Sequence, residues 1–257
     1  MIVRTDMSLA VGRVESGSAA LLEPVVEAGP VTISAAGLFK RFGQTEALRG
    51  IDFSLGRGEI VAVMGPSGSG KSTLLHCMAG ILAPDGGTVT FEGRRIDSLG
   101  ETERTRLRRT AFGFVFQFGQ LVPELSALEN VALPLLLNKV KRSTAEAEAA
   151  AWFPRLGLEG MERRRPGEMS GGQAQRVAVA RALVTKPSVV FADEPTGSLD
   201  TIAGEQVMEL LTAAALEQNT SVLLVTHEAR VAAYARREIV VRDGRVSGIP
   251  LADGVTR

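Results

Sequence analysis

Short apolar runs alternate with longer segments of helical spacing along the chain, starting at about residue 31. Residues 31–42 and 47–55 read as two strands joined through Gly43-Gln44. Residues 60–64 form an apolar strand that runs straight into a glycine-rich turn, and 71–78 continue with helical spacing. Strands follow near 88–91 and 114–116, then helices over 127–137 and over the alanine- and glutamate-rich 144–152. A helix over 170–183 precedes a strand at 188–192, a helix at 202–214, a buried strand at 221–225 and a helix at 228–235. Residues 239–242 read as a strand entering a tight turn at Asp243-Gly244. This alternation predicts α/β layers with a helical subdomain inserted over about 120–168. No internal repeat is visible, so 31–250 reads as one domain. Residues 1–30, which include Gly17, Ser18, Gly29 and Pro30, read as a flexible leader and 251–257 as a short tail.

Composition narrows the partners. Lys+Arg and Asp+Glu both number 29, so the chain has no net field of the kind that gathers nucleic acid, and no nucleic-acid partner is expected. Arg104, Arg106, Arg108 and Arg109, like Arg163 to Arg165, read as solvated charge. No run reaches the 18 apolar residues that spanning a membrane requires. Arg4, Asp6, Arg13 and Glu15 interrupt any signal-peptide core. The one cysteine, Cys77, excludes an intrachain disulfide and lies in an apolar helical pattern, where a buried thiol is expected.

Three stretches carry chemistry. Gly65-Pro66-Ser67-Gly68-Ser69-Gly70-Lys71-Ser72-Thr73 fits G-x-x-x-x-G-K-[ST] between an apolar strand and a helix. A loop that wraps phosphates must turn its N–H groups inward, which glycine permits, and the helix N-terminus that follows favours the anion. Lys71 can then reach the β and γ phosphates, and the Ser72 hydroxyl can ligate Mg²⁺. The apolar strand at 188–192 ends in Asp193-Glu194. Strand alternation sends consecutive side chains to different sides, so the two acids can take different roles: Asp193 holding the metal through water, Glu194 orienting the attacking water and receiving its proton. Gln117 and His227 end two further apolar runs, at the strand edge where α/β sheets bind ligands. His76 lies inside the helix after Lys71 and reads as a packing or surface residue.

The stretch Met169-Ser170-Gly171-Gly172-Gln173-Ala174-Gln175-Arg176 resembles the LSGGQ signature of ATP-binding cassette (ABC) transporter ATPases, with Met169 in place of leucine. The resemblance covers roughly residues 31–246. It implies a P-loop NTPase fold of the ABC type: a RecA-like core, an antiparallel β subdomain and the inserted helical subdomain. It also implies that Phe42 stacks on adenine, and that Gln117 both contacts magnesium and links it to the transport partner. Asp200 would communicate across a cassette dimer, and His227 would contact the γ-phosphate and hold Glu194 in register. Ser170, Gly171 and Gly172 of one copy, with Gln173 beside them, would cap the phosphate held by Lys71 of the other, so that ATP and Mg²⁺ join two copies.

Phe114-Val115-Phe116-Gln117 and the stretch from Leu121 to Val131, with Ala47-Leu48-Arg49-Gly50 and Ala233-Tyr234-Ala235-Arg236, resemble the lipoprotein-release, macrolide-export and cell-division group. That implies an integral membrane permease with a large extracytoplasmic domain as partner, and a peripheral place on the cytoplasmic face of the cell membrane. Two other readings are a soluble ABC ATPase of DNA repair or translation, and an ATP-gated regulatory cassette. Only 53 positions separate Gln117 from Ser170, too few for the coiled-coil arms of chromosome and repair ATPases, and Glu194 and His227 speak against a cassette that never turns over.

Overall fold

The computed structural model describes residues 30–247. Residues 1–29 of the expected leader and the expected tail at 251–257 lie outside the described residues.

Two sheets organise the chain. The first is antiparallel, built from β1 (Val31–Phe42), β2 (Thr45–Gly56), β4 (Gly86–Phe91) and β5 (Arg94–Arg95) in the order β2-β1-β4-β5. The second contains β3 (Ile60–Met64), β6 (Phe112–Phe116), β7 (Val189–Asp193), β8 (Ser221–Val225), β9 (Arg237–Arg242) and β10 (Arg245–Ser247) in the order β10-β9-β3-β8-β7-β6. All its pairings are parallel except the β9–β10 hairpin. β3, β7 and β8 are almost wholly apolar because strands covered on both faces have no solvent side to alternate with.

Helices cover the second sheet. α1 (Lys71–Met78) and α2 (Glu101–Thr110) precede β6; α3 (Ala127–Leu137), α4 (Arg142–Ala150), α5 (Phe153–Leu156) and α6 (Gly171–Leu183) precede β7; α7 (Thr201–Gln218) and α8 (Ala229–Ala232) flank β8. The core divides accordingly. One apolar cluster joins α3 to α7 with one face of the parallel sheet, and the other joins α1 and the opposite face to the antiparallel sheet. Phe91, Phe112 and Phe191 fasten the two sheets through successive edge-to-face contacts, with ring centroids 5.0 and 5.2 Å apart. Such pairs add about 0.5–1.5 kcal/mol each beyond the area they bury. This is the expected α/β fold, with its antiparallel β subdomain and helical layer.

The charged run at 101–110 departs from expectation. It forms α2, which buries no residue and is held through polar contacts: Glu101 pairs with Arg104 and Arg108, and Arg108 donates to the Gly80 carbonyl at 2.6 Å. The helix over 228–235 is shorter than expected, only α8, and the strand over 239–242 begins two residues earlier. Cys77 is buried as expected, and burial pushes its thiol up to about 11.

Candidate nucleotide site

β3 delivers the chain to Gly65 and α1 takes it up at Lys71, so the phosphate loop is strung between two fixed points. Gly65 has φ 143°, and a Cβ there would lie 2.1 Å from the Val241 carbonyl oxygen; Gly70 has φ 108°, and a Cβ would lie 2.4 Å from that of Ala47. Only glycine fits either place. The β9–β10 turn braces the loop from behind, since Gly244 N–H donates to the Ser69 carbonyl at 3.0 Å. Lys71 is 7 % exposed, and its ammonium donates to the Gly65 and Pro66 carbonyls at 2.8 and 2.9 Å.

The first turn of α1 has neither a side-chain cap nor an acidic residue, and the Ser69 hydroxyl is buried without a partner. A helix N-terminus left open in this way, beside a lysine and an orphaned hydroxyl, suits a polyphosphate.

Parallel pairing brings the ends of β6, β7, β8 and β3 to one edge. Asp193 closes β7, and the Ser72 hydroxyl donates to its Oδ1 at 3.1 Å. Burial raises the Asp193 pKa above the ordinary carboxylate value, helped by the neighbouring Glu194 charge; the Ser72 bond, His76 and Lys71 pull the other way. Among the described residues no three His, Cys, Asp or Glu side chains gather as a metal cluster. A hydroxyl and a carboxylate at the phosphate loop nevertheless form the oxygen donor set that Mg²⁺ takes when phosphates complete its shell.

Glu194 stands just outside the strand, with φ 50°. Its aim is therefore set by a left-handed backbone, a conformation that costs about 1–2 kcal/mol, and not by the strand alternation expected from sequence. Its N–H donates to the Val225 carbonyl at 2.9 Å, and Oε1 lies 2.8 Å from His227 Nδ1. With the Nδ1–H tautomer the imidazole donates to this carboxylate and keeps Nε2 available. His227 is held by the turn after β8, where Thr226 N–H donates to the Val63 carbonyl and Glu228 N–H to the Thr226 hydroxyl. Its side chain is 62 % exposed against 19 % for Glu194, whose Oε2 is buried and unpartnered. A buried lone pair with no donor is a place for a water to bind.

Other expected residues lie further off. Gln117 follows β6 with its amide against Gly197, and no hydrogen bond ties it to Ser72 or Asp193. Phe42 ends β1 on the hairpin, 49 % exposed, with the Lys40 ammonium 5.6 Å from its ring centroid.

Ser170 caps α6 in a reciprocal pair: its hydroxyl accepts from Gln173 N–H, and its own N–H donates to Gln173 Oε1. Asp200 caps α7 by accepting from Ala203 N–H, and Gly172 packs on Ala203. The two capped N-termini thus stand side by side, with Ser170, Gly171 and Asp200 exposed. α6 packs on α3, α7 and β6.

One buried residue carried no role in the sequence reading. Gln175 is 2 % exposed on the inner face of α6, where it bonds the backbone on either side of the site. Its signal was a polar residue three and seven positions before Ala178 and Ala182, on the apolar stripe.

Known proteins resemble this chain in sequence and fold. The ABC transporter family matches residues 48–197. The lipoprotein-releasing system ATP-binding protein LolD of Hydrogenovibrio crunogenus is 48% identical over 201 residues, covering 78% of this chain and 87% of that protein. The ATP-binding cassette MJ0796, solved as a dimer in a post-hydrolysis state with ADP and Pi, superposes with a TM-score of 0.78 at 36% identity, covering 87% of this chain and 100% of that one. The cbiO1 component of the cbiONQ ABC transporter complex from Clostridium perfringens gives 0.77 at 30% identity, covering 85% and 87%. With the phosphate loop, the acid pair and the signature helix in place, the chain belongs to the ABC transporter family as an ATP-binding subunit, an ATPase whose hydrolysis is coupled to transport.

Proposed function

We propose that this chain powers an integral membrane permease of the lipoprotein-release kind, working as a pair of copies that ATP closes at the cytoplasmic face of the membrane. The observation that carries the reading is the 2.8 Å contact between Glu194 and His227 beside the Ser72–Asp193 pair. The two side chains meet at the same sheet edge as the phosphate loop, which supports reading Glu194 as the water-orienting carboxylate and His227 as its aligning imidazole. The 48% identity with LolD supports the type of permease, and the dimer of MJ0796 supports pairing. No helix among the described residues is long and apolar enough to cross a membrane, so attachment would come through the permease.

Within each copy, Lys71 and the N–H groups of residues 65–73 hold the phosphates and the Phe42 ring takes the base. Ser72 and Asp193 hold the metal ion, with Gln117 assigned to the same ion and to the link with the permease. Mg²⁺ supplies positive charge against the phosphate oxygens. Glu194 orients water and takes its proton at a carboxylate oxygen, while His227 holds that carboxylate through Nδ1. Ser170, Gly171, Gly172 and Gln173 of the second copy present donors to the terminal phosphate, with Asp200 at the junction.

Asp193 makes a testable trade. Its raised pKa means that the folded state binds its proton more tightly than the unfolded chain does, so its contribution to stability falls as pH rises through the carboxylate range. Asp193→Asn removes that cost while keeping an acceptor for Ser72. The variant is expected to melt at a higher temperature than wild type at neutral pH without nucleotide. It is also expected to lose roughly 10–100-fold in activity, the scale that outer-shell changes cost a metal site. Calorimetry and phosphate release on one preparation check both halves.

The permease assignment is tested by purifying the tagged full-length chain from detergent-solubilised membranes of its own cell. A four-span membrane protein with a large extracytoplasmic loop is expected at stoichiometric yield. Recovery of the chain free of any membrane protein, under conditions that preserve other transporter complexes, would refute the reading.

A further inference from the structure

Gln175 lies five residues into the capped helix, about 7 Å along its axis from Ser170. Its Nε2 donates to the Phe116 carbonyl at 2.8 Å and to the Pro195 carbonyl at 2.7 Å. Those carbonyls are one residue before Gln117 and one residue after Glu194. A primary amide has two hydrogens and here spends one on each side. No other side chain of this length presents two neutral donors from a single atom, so the bond pair fixes the spacing between the end of β6 and the loop after β7.

The same helix grips the chain beyond Gln117. Arg181 donates to the Gly119 and Gln120 carbonyls at 2.7 and 2.8 Å. Gly119 N–H donates back to the Phe116 carbonyl at 3.1 Å, and Gly197 N–H to the Glu194 carbonyl at 3.1 Å. Each turn is therefore closed on its own and then tied to α6 by a side chain. Of these bonds the one to the Pro195 carbonyl is buried and the one to the Phe116 carbonyl partly so, and a buried carbonyl left unpaired by a shift of α6 is costly.

We infer that Gln175 is a positioning residue for hydrolysis, tying the seat of α6 to the loop that carries Glu194 and to the segment that carries Gln117. α6 begins at the signature serine, so displacement of Ser170 moves Gln175 as part of one rigid rod. Glu194 is aimed at its water only while both Gln175 bonds are made. The inference rests on the catalytic assignment of Glu194 given above and adds the connection by which the signature helix reaches that carboxylate within its own copy.

The experiment compares the full-length wild type with Gln175→Met, Gln175→Glu and Glu194→Gln in phosphate release across Mg-ATP concentration, alongside backbone hydrogen exchange. Gln175→Met keeps the bulk and removes both donors. It is expected to lower kcat by about 10²-fold, the scale of a misplacement near 1 Å, with KM within about threefold of wild type. Exchange is expected to speed up at the Gly119 and Gly197 amides while the α6 amides from Val177 to Ala182 stay protected. Gln175→Glu sets carboxylate oxygens against both carbonyls and is expected to lose more. Gln175→Asn, one methylene short of spanning both carbonyls, carries the same expectation as Gln175→Met should that variant fail to fold.

An unchanged kcat in the folded variants overturns the inference. So does a fall in kcat accompanied by a rise in KM and faster exchange throughout β6, β7 and β8, which marks a packing role only. If Glu194→Gln hydrolyses at the wild-type rate, the catalytic assignment itself fails and takes the inference with it. That failure appears in a different sample from the first two.

Discussion

A Glu194→Gln chain is expected to bind Mg-ATP, to hold two copies together, and to turn over about 10²–10⁴ times more slowly than wild type. The substitution keeps the left-handed backbone at φ 50° and the shape of the side chain, and an amide oxygen can still accept from His227 Nδ1. It removes the group that takes the proton of the attacking water. It also removes a negative charge beside Asp193, which lowers the electrostatic cost of bringing a triphosphate to this edge. Binding is therefore retained or tightened while chemistry stops, and the pair stays closed. Size-exclusion chromatography with light scattering, with and without Mg-ATP, reads the association, and phosphate release on the same samples reads turnover. Wild-type turnover by this variant in the presence of its permease would remove Glu194 from the role of base.

Lys71→Ala is expected to abolish tight nucleotide binding. The ammonium is almost wholly buried and holds the Gly65 and Pro66 carbonyls, so it both shapes the loop and supplies its only lysine charge. Truncating one partner of a buried, hydrogen-bonded charge pair costs about 2–5 kcal/mol, or roughly 30- to 5,000-fold in affinity. The loss should appear in equilibrium titration with ATP and with ADP, in contrast to Glu194→Gln, which keeps both. The two variants divide the site into a binding half and a chemical half. Affinity unchanged in Lys71→Ala would mean that the lysine serves the loop alone.

The phosphate loop, the acid pair and the signature were legible because each is local: strand, turn and helix start lie within a few residues, and the spacing carries the geometry. The 33 positions between Glu194 and His227 carried no such signal. Their contact follows from β7 and β8 being neighbours in the sheet, which no periodicity reveals. α2 was missed for a different reason. A helix that buries nothing has no apolar stripe, and its arginines read as solvent-facing charge although Arg104 and Arg108 are largely covered. The left-handed backbone that aims Glu194 was not legible, because alternation holds only while the strand lasts, and the strand ends at Asp193. Gln175 was printed within the signature itself, but its meaning needed the two carbonyls that it touches.

The strand order has a consequence for how the protein is made. β3, which leads into the phosphate loop, pairs only with β8 and β9, and both leave the ribosome long after it does. At roughly 5–20 residues per second, the roughly 160 positions from Met64 to Val225 take about 8–30 s to synthesise. For that interval Ile60–Met64 is an apolar strand without a neighbour, exposed to whatever else in the cell seeks a β edge. His227 follows β8 by two residues, so the same late segment that shelters the strand also completes the chemistry. A chain cut short before residue 221 would carry a complete phosphate motif and a complete signature but would lack β8, the strand that joins β3 to β7. Such a fragment is expected to be a burden on quality control and a poor competitor for the permease.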